Sequence, residues 1–360
     1  MERVYNFSPG PSMLAQPVLE KAQKDLMVYG NTGMSVMEMS HRSKMYTDIF
    51  DKTVADLRAL MHIGDDYEVL LLQGGATLQF SAIPLNLMVK GKADYVDSGN
   101  FAHLAAEEAK RYGEVNIAAT SRADNYTYVP DCSDLDIPED ADYVYICENE
   151  TINGTTWNKL PNTKGHVLVS DQSSMFLSRP CNVSDYGLIW AGVQKNVGPA
   201  GMAVVIIRED LIRDDLDPKT PVYLKYKTHA DNDSMYNTPN CWAIYCCGKV
   251  FRYLLDNGGL AEMEKRNIAK AKVIYDFLDS SKLFKGAVVP EDRSLMNIPF
   301  VTGDKELDAA VVAASKEAGF DNLKGHKSVG GLRASVYNAM PIEGAQALVE
   351  FLTKFEAEHK

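Results

Sequence analysis

Apolar residues recur along this chain in two patterns. Leu14, Val18, Leu19, Ala22 and Leu26 stand at helical spacing, as do Ile49, Phe50, Val54, Leu57 and Met61. Each set would line one side of a helix. Short unbroken apolar runs follow, at Val69 to Leu72, Tyr143 to Cys147, Val167 to Val169, Leu188 to Ala191 and Met202 to Ile207. Runs of that length and make-up read as strands. Strands separated by helices imply an α/β class, with a mostly parallel sheet covered by helices on both faces.

A longer amphipathic stretch, Trp242 to Leu255, ends at Asn257-Gly258-Gly259, a good helix stop. A domain boundary is expected there. Residues 15–257 would form the large domain, and 258–360, joined by 1–14, a smaller α+β unit. The second unit reads as a helix around Glu262 to Leu278, strands near Met296 to Val301 and Leu332 to Val336, and a last helix carrying Leu348, Phe351, Leu352 and Phe355. No internal repeat or low-complexity tract interrupts the pattern.

Bulk properties narrow the class. A length of 360 residues is more than one core usually holds, which agrees with two domains. A formal net charge of -12 argues against nucleic acid or an anionic membrane as the main partner, while leaving room for one cationic cleft. The six cysteines are scattered and form no CxxC pair. They read as buried free thiols in a reducing compartment, with no metal expected. Met1 to Tyr5 has no apolar signal core, and no run approaches the ~20 apolar residues of a membrane span. A cytoplasmic protein is expected.

The stretch richest in chemistry is Trp190-Ala191-Gly192-Val193-Gln194-Lys195-Asn196-Val197-Gly198-Pro199-Ala200-Gly201. An isolated lysine is ordinarily a solvated charge. This one stands between an apolar strand and a glycine-rich loop, where desolvation would favour the neutral amine that Schiff-base chemistry needs. Upstream, His166 to Asp171 is a buried-type strand ending in a carboxylate. Asp171 has two readings: a turn or helix-cap residue, or a carboxylate paired with a pyridinium nitrogen at the carboxyl end of the sheet. A third piece, Tyr67 to Gln79, runs from a strand through Gly74-Gly75 into a helix with Thr77 in its first turn. Free backbone N–H groups there suit a phosphate, although many such turns serve packing alone.

Together these pieces resemble the aspartate-aminotransferase-like fold, pyridoxal phosphate (PLP) fold type I. The wording of several motifs resembles the phosphoserine aminotransferases, a class V branch of the PLP-dependent aminotransferase family, over essentially the whole chain. The carriers are Asn6-Phe7-Ser8-Pro9-Gly10-Pro11, Ser35 to Arg42, Asn149-Glu150-Thr151-Ile152-Asn153-Gly154, Gln194-Lys195-Asn196, Met235 to Pro239 and Lys324 to Ser335. The resemblance implies a seven-stranded sheet in the large domain and one PLP per subunit as a Schiff base on Lys195. Asp171 would meet the ring nitrogen, Thr151 the ring hydroxyl, and Phe101 would stack on the ring. Ala76, Thr77 and Gln194 would bind the cofactor phosphate, joined by Asn237 and Thr238 from the partner of a homodimer. Arg333 would clamp the substrate α-carboxylate, and His41, Arg42, His326 and Lys327 the distal phosphate or carboxylate. The implied reaction converts 3-phosphohydroxypyruvate and L-glutamate to O-phospho-L-serine and 2-oxoglutarate, a step of L-serine biosynthesis.

Two positions depart from the family pattern: Thr77 and Lys327 stand where arginine occurs in relatives. Lysine keeps the charge but loses the bidentate fork. Rival readings on the same fold meet specific obstacles. The charges of His41, Arg42, His326 and Lys327 speak against an alanine–glyoxylate type of enzyme. A cysteine desulfurase would need a nucleophilic thiol on a loop of the C-terminal half, and no cysteine follows Cys247. A non-catalytic protein on this scaffold would have no need of Lys195 and Asp171.

Overall fold

The computed structural model describes residues 3–359. A two-residue strand, β1 (Tyr5–Asn6), precedes the main sheet. That sheet is built from β2 (Tyr67–Gln73), β3 (Lys92–Asp97), β4 (Glu114–Thr120), β5 (Tyr143–Cys147), β6 (Val167–Asp171), β7 (Leu188–Gly192) and β8 (Met202–Arg208). Its seven strands lie in the order β2-β8-β7-β6-β5-β3-β4. Only β8 opposes the rest, since it pairs antiparallel with both β2 and β7. The carboxyl ends of β5, β6 and β7 therefore share one edge.

The unbroken apolar runs have a simple cause. Alternate residues of each strand enter opposite layers, and both layers are covered. Val69, Leu71, Ile189, Val204 and Ile206 pack with Leu57, Ile244 and Phe251 on one face. Leu70, Leu72, Trp190, Val205 and Ile207 pack with Phe80, Ile83 and Ala105 on the other. The first face is covered by α1 (Gln16–Asp25), α2 (Lys44–Met61) and α6 (Cys241–Asp256), with α2 lying along α6. The second carries α3 (Ala76–Leu87), α4 (Asn100–Ala109) and the short α5 (Tyr226–Ala230).

Two differences from the apolar pattern are informative. The stripe of α1 is narrower than its spacing implies: Val18 and Ala22 are buried, whereas Leu19 and Leu26 are more than a third exposed. The strands β3 and β4 have no apolar run at all. Asp94 and Asp97 are buried on β3, and β4 is an edge strand with no fully buried residue. Buried aspartates and an exposed edge both dilute the apolar signature.

After α6 come α7 (Gly259–Ser280), β9 (Lys285–Gly286), β10 (Asn297–Val301), α8 (Lys305–Glu317), β11 (Phe320–Asp321), β12 (Leu332–Ser335) and α9 (Ile342–Glu358). β12, β10 and β9 form a three-stranded antiparallel sheet, and β11 pairs with β1. A third apolar cluster joins Ile274, Leu278, Phe284, Ile298, Phe300, Leu348 and Leu352, with Phe7 from the N-terminal segment. The first turns of α7 belong elsewhere, for Leu260 and Met263 pack into the core beneath the large sheet.

The α2–α6 layer offers a stability test. Phe251 is fully buried there. Phe251→Ala is expected to cost about 3–5 kcal/mol by lost transfer energy and a cavity. Equilibrium denaturation with an unchanged m-value would read this; a loss below ~1 kcal/mol would mean that the layer repacks.

Candidate active site

Three strand ends place the central groups. In the sheet register Asp171 lies between Cys147 and Trp190. Its Oδ1 accepts the Ser173 N–H (2.8 Å), a local turn of the kind aspartate favours after a strand. Ser173 Oγ in turn accepts the Gly192 N–H (2.9 Å), fastening the end of β6 to the end of β7. Three residues beyond Gly192, Lys195 points back into this corner.

Lys195 is only 8% exposed, and burial pulls its basicity below the ordinary lysine range. Asp171, Cys147 and Glu150 act against that shift and Arg333 adds to it. Burial raises the Asp171 carboxyl, while Lys195 and the Ser173 groups pull it back down. Each group keeps the other's charged form accessible. Lys195 Nζ donates to Thr151 Oγ1 and lies 5.2 Å from the centre of the Phe101 ring. The Thr151 carbonyl accepts from Arg333 Nη1 (3.1 Å). Lysine, aspartate, threonine, phenylalanine and arginine thus converge, although Thr151, Asp171 and Arg333 come from distant parts of the sequence.

The N-terminal segment completes one wall. Ser12 N–H donates to the Gln194 carbonyl (3.1 Å), and Tyr337 Oη donates to the Pro9 carbonyl (2.7 Å). Gly10 has φ +132°, and a Cβ there would sit 3.2 Å from Lys195 Cγ. Only glycine lets the segment pass this close. At the opposite side, Gly74 and Gly75 take φ +105° and +71° before α3, whose first turn has no side-chain cap. Its first N–H groups have no side-chain acceptor, an arrangement suited to an anion. Ala76 is half-buried against Gly192, and Thr77 is exposed.

The remaining expected residues are less tightly held. His326 is half-buried and shares its Nδ1 with Ser328 Oγ (2.7 Å). Burial lowers its basicity, and the charges of Arg333 and Lys327 lower it further. His41 is half-buried, and its Nε2 has no partner among the described residues. Arg42, Lys327, Asn237 and Thr238 are exposed. Gln73 Nε2 donates to the Thr238 carbonyl, which ties that loop to the strand leading into Gly74. No contact brings Asn237 or Thr238 to Lys195 of the same chain among the described residues.

The chain matches the family model described as aminotransferase class-V over residues 4–348. It belongs to the class V aminotransferase family. A phosphoserine aminotransferase of Nitrosomonas europaea is 51% identical over the full length of both chains. Among solved structures, phosphoserine aminotransferase from Bacillus circulans subsp. alkalophilus superposes with a TM-score of 0.98 at 42% identity, covering both chains entirely. A PLP-bound phosphoserine aminotransferase from Trichomonas vaginalis gives 0.93 at 39% identity, over 98% of this chain and all of its own.

Several groups of this class V site carried no role in the sequence reading. Ser173 joins two strand ends, and its signal was the Asp-x-Ser spacing after β6. Tyr337 and Gly10 hold the N-terminal wall; the motif around Gly10 was visible, but not what it touches. Glu150, one residue before Thr151, is buried and bonded to the first turn of α4. Nothing local marks it as more than a charge in a loop.

Proposed function

We propose that this chain is a PLP-dependent transaminase that interconverts 3-phosphohydroxypyruvate and L-glutamate with O-phospho-L-serine and 2-oxoglutarate. The observation carrying this reading is the buried, weakened base Lys195, bonded to Thr151 and within electrostatic reach of the Asp171 carboxylate and the Arg333 guanidinium. The full-length similarity to phosphoserine aminotransferases supports the choice of substrates. A screen of amino donors and keto acceptors with purified protein tests it; alanine as the best donor and no turnover with phosphoserine would overturn the substrate assignment.

The residues present fit the cofactor. Gln194 Oε1 and Arg333 Nε are buried polar atoms without a hydrogen-bond partner among the described residues, and a ligand would satisfy them. When bound, PLP supplies an electron sink for the pair released at the substrate's Cα. Lys195 would hold it and Nζ would move the Cα proton, a task suited to an amine of lowered basicity. Asp171 would keep the ring nitrogen protonated, Thr151 would orient the ring hydroxyl, and Phe101 would cover the ring face. Ala76, Thr77 and Gln194 would hold the phosphate, with Asn237 and Thr238 reaching it from a second subunit.

Substrate anions would meet the cationic side. Arg333 is fixed to the Thr151 carbonyl and its Nε has no partner among the described residues, which suits it to one carboxylate common to every amino acid. His326, Lys327, His41 and Arg42 would bind the distal group, alternately carboxylate and phosphate. Burial and the nearby cations Arg333 and Lys327 lower the basicity of His326, and an arriving dianion would act against that shift.

His326→Ala and Arg42→Ala are therefore expected to lower kcat/KM for phosphoserine by roughly ten- to a hundred-fold, with cofactor retention unchanged. Lys327→Arg should preserve or sharpen phosphate selectivity, and Arg333→Ala should damage all amino acids alike. Steady-state comparison of phosphoserine, glutamate and alanine reads this; a neutral His326→Ala would remove the phosphate role.

A homodimer with shared sites fits the exposed Asn237-Thr238 loop and the apolar side chains left in water nearby in sequence, such as Tyr236 (44% exposed). Two domains joined near residue 258 fit the apolar clusters, which divide within α7. No helix of the described residues is long and apolar enough to cross a membrane, and all six cysteines are free. Both agree with a cytoplasmic enzyme.

A further inference from the structure

The first N–H groups of any helix lack partners within it. In α4 they meet the loop that follows β5. Phe101 N–H donates to Glu150 Oε2 (3.0 Å) and Ala102 N–H to Oε1 (2.8 Å), while Asn100 N–H donates to Asn153 Oδ1 (3.0 Å). Glu150 is 1% exposed, and its two bonds occupy both carboxylate oxygens. Burial raises its carboxyl to about 7, against the pull of these N–H groups. A buried acid held at that cost, with no ion pair among the described residues and both oxygens given to one helix start, calls for a purpose beyond ordinary capping.

The neighbouring glycine shows how closely the helix and the acid are fitted. A Cβ at Gly99 would lie 2.2 Å from Glu150 Cγ and Cδ, so a side chain there would drive the carboxylate away. The next loop residue, Thr151, turns the other way. Its hydroxyl accepts from Lys195 and its carbonyl from Arg333. Two consecutive residues therefore set three active-site groups against one another: the Phe101 ring, the Lys195 amine and the Arg333 guanidinium.

We propose that Glu150 is the positioning residue for the aromatic face of the site, fixing the first turn of α4 so that the Phe101 ring stands over Lys195. This rests on the cofactor reading above. Glu150 supports the charge of Lys195 at longer range, but its bonds go to the first turn of α4, so its positioning role is exerted through Phe101. Without both acceptor oxygens, the Phe101 backbone is released and the ring loses its register over the lysine.

The test is a double-mutant cycle on the loaded enzyme, read as the rate at which PLP leaves. Apo-aspartate aminotransferase in excess serves as the trap, and the visible absorbance of the lysine-bound form reports the loss. Glu150→Gln replaces one acceptor by an N–H donor. It should speed release about tenfold, the scale of one aromatic contact. Phe101→Ala should do the same, and the double variant should be no faster than Phe101→Ala alone. Gly99→Ala keeps the acid but displaces it, and should reproduce Glu150→Gln; it carries the test if Glu150→Gln fails to fold. Additive effects, near a hundredfold in the double variant, would overturn the proposal. So would wild-type release rates in Glu150→Gln with only a lower melting temperature of the cofactor-free chain, the mark of a purely structural cap. Wild-type protein that takes up no PLP would instead overturn the function proposed above.

Discussion

Replacing Lys195 by alanine should abolish the absorbance of the lysine-bound cofactor and lower turnover by about 10⁴-fold or more, the upper range of a lost acid–base group. Lys195 stands alone in its corner as a base: burial holds its amine below ordinary lysine basicity, and Asp171 keeps the charged form within reach. No second lysine bonds to Thr151 or lies over the Phe101 ring among the described residues. Lys195→Arg should fail as well, because a guanidinium keeps its proton at any working pH. Absorbance and steady-state assays with phosphoserine decide the matter. An alanine variant turning over at the wild-type rate would refute the transaminase reading altogether.

Asp171→Asn should retain part of its PLP but slow proton removal from glutamate by about 10²- to 10³-fold. The amide has the same shape and can keep the bond from the Ser173 N–H, so the turn after β6 should survive. What it lacks is the negative charge. Asp171 is buried, which raises its carboxyl, while Lys195 and the Ser173 groups pull it back down. That balance suits a carboxylate meant to face a cation, as a protonated ring nitrogen would be. Stopped-flow measurement of the half-reaction with glutamate gives the rate. An unchanged rate would remove Asp171 from that role and leave it the turn residue it also is.

The double character of Asp171 shows how far a sequence can be read. Its position after a buried strand allowed a turn or a site, and the structure shows the turn while placing the same carboxylate beside Lys195. Gly74-Gly75 is similar: a packing turn in many proteins, here an uncapped helix start at the edge that holds Lys195. The strands β5 to β8 stood out because both faces are buried, whereas β3 and β4 did not. His41 and Arg42 could be named only through their motif, since in the fold one is half-buried and the other exposed.

The sequence by itself determined the layered α/β architecture, the helix stop at Asn257-Gly258-Gly259 and the lysine held in an apolar loop. Each of these rests on neighbours within a few positions, through period, turn chemistry or local burial. The tertiary structure alone decided which distant groups meet. It set Thr151 between Lys195 and Arg333, passed Gly10 beside the lysine, and turned Glu150 from a loop charge into the anchor of the Phe101 helix. The physical reason is that hydrogen bonds and desolvation act between groups close in space, at separations of 44 and 182 residues here. Sequence periodicity is silent about such pairs until the sheet order brings its strand ends to one edge.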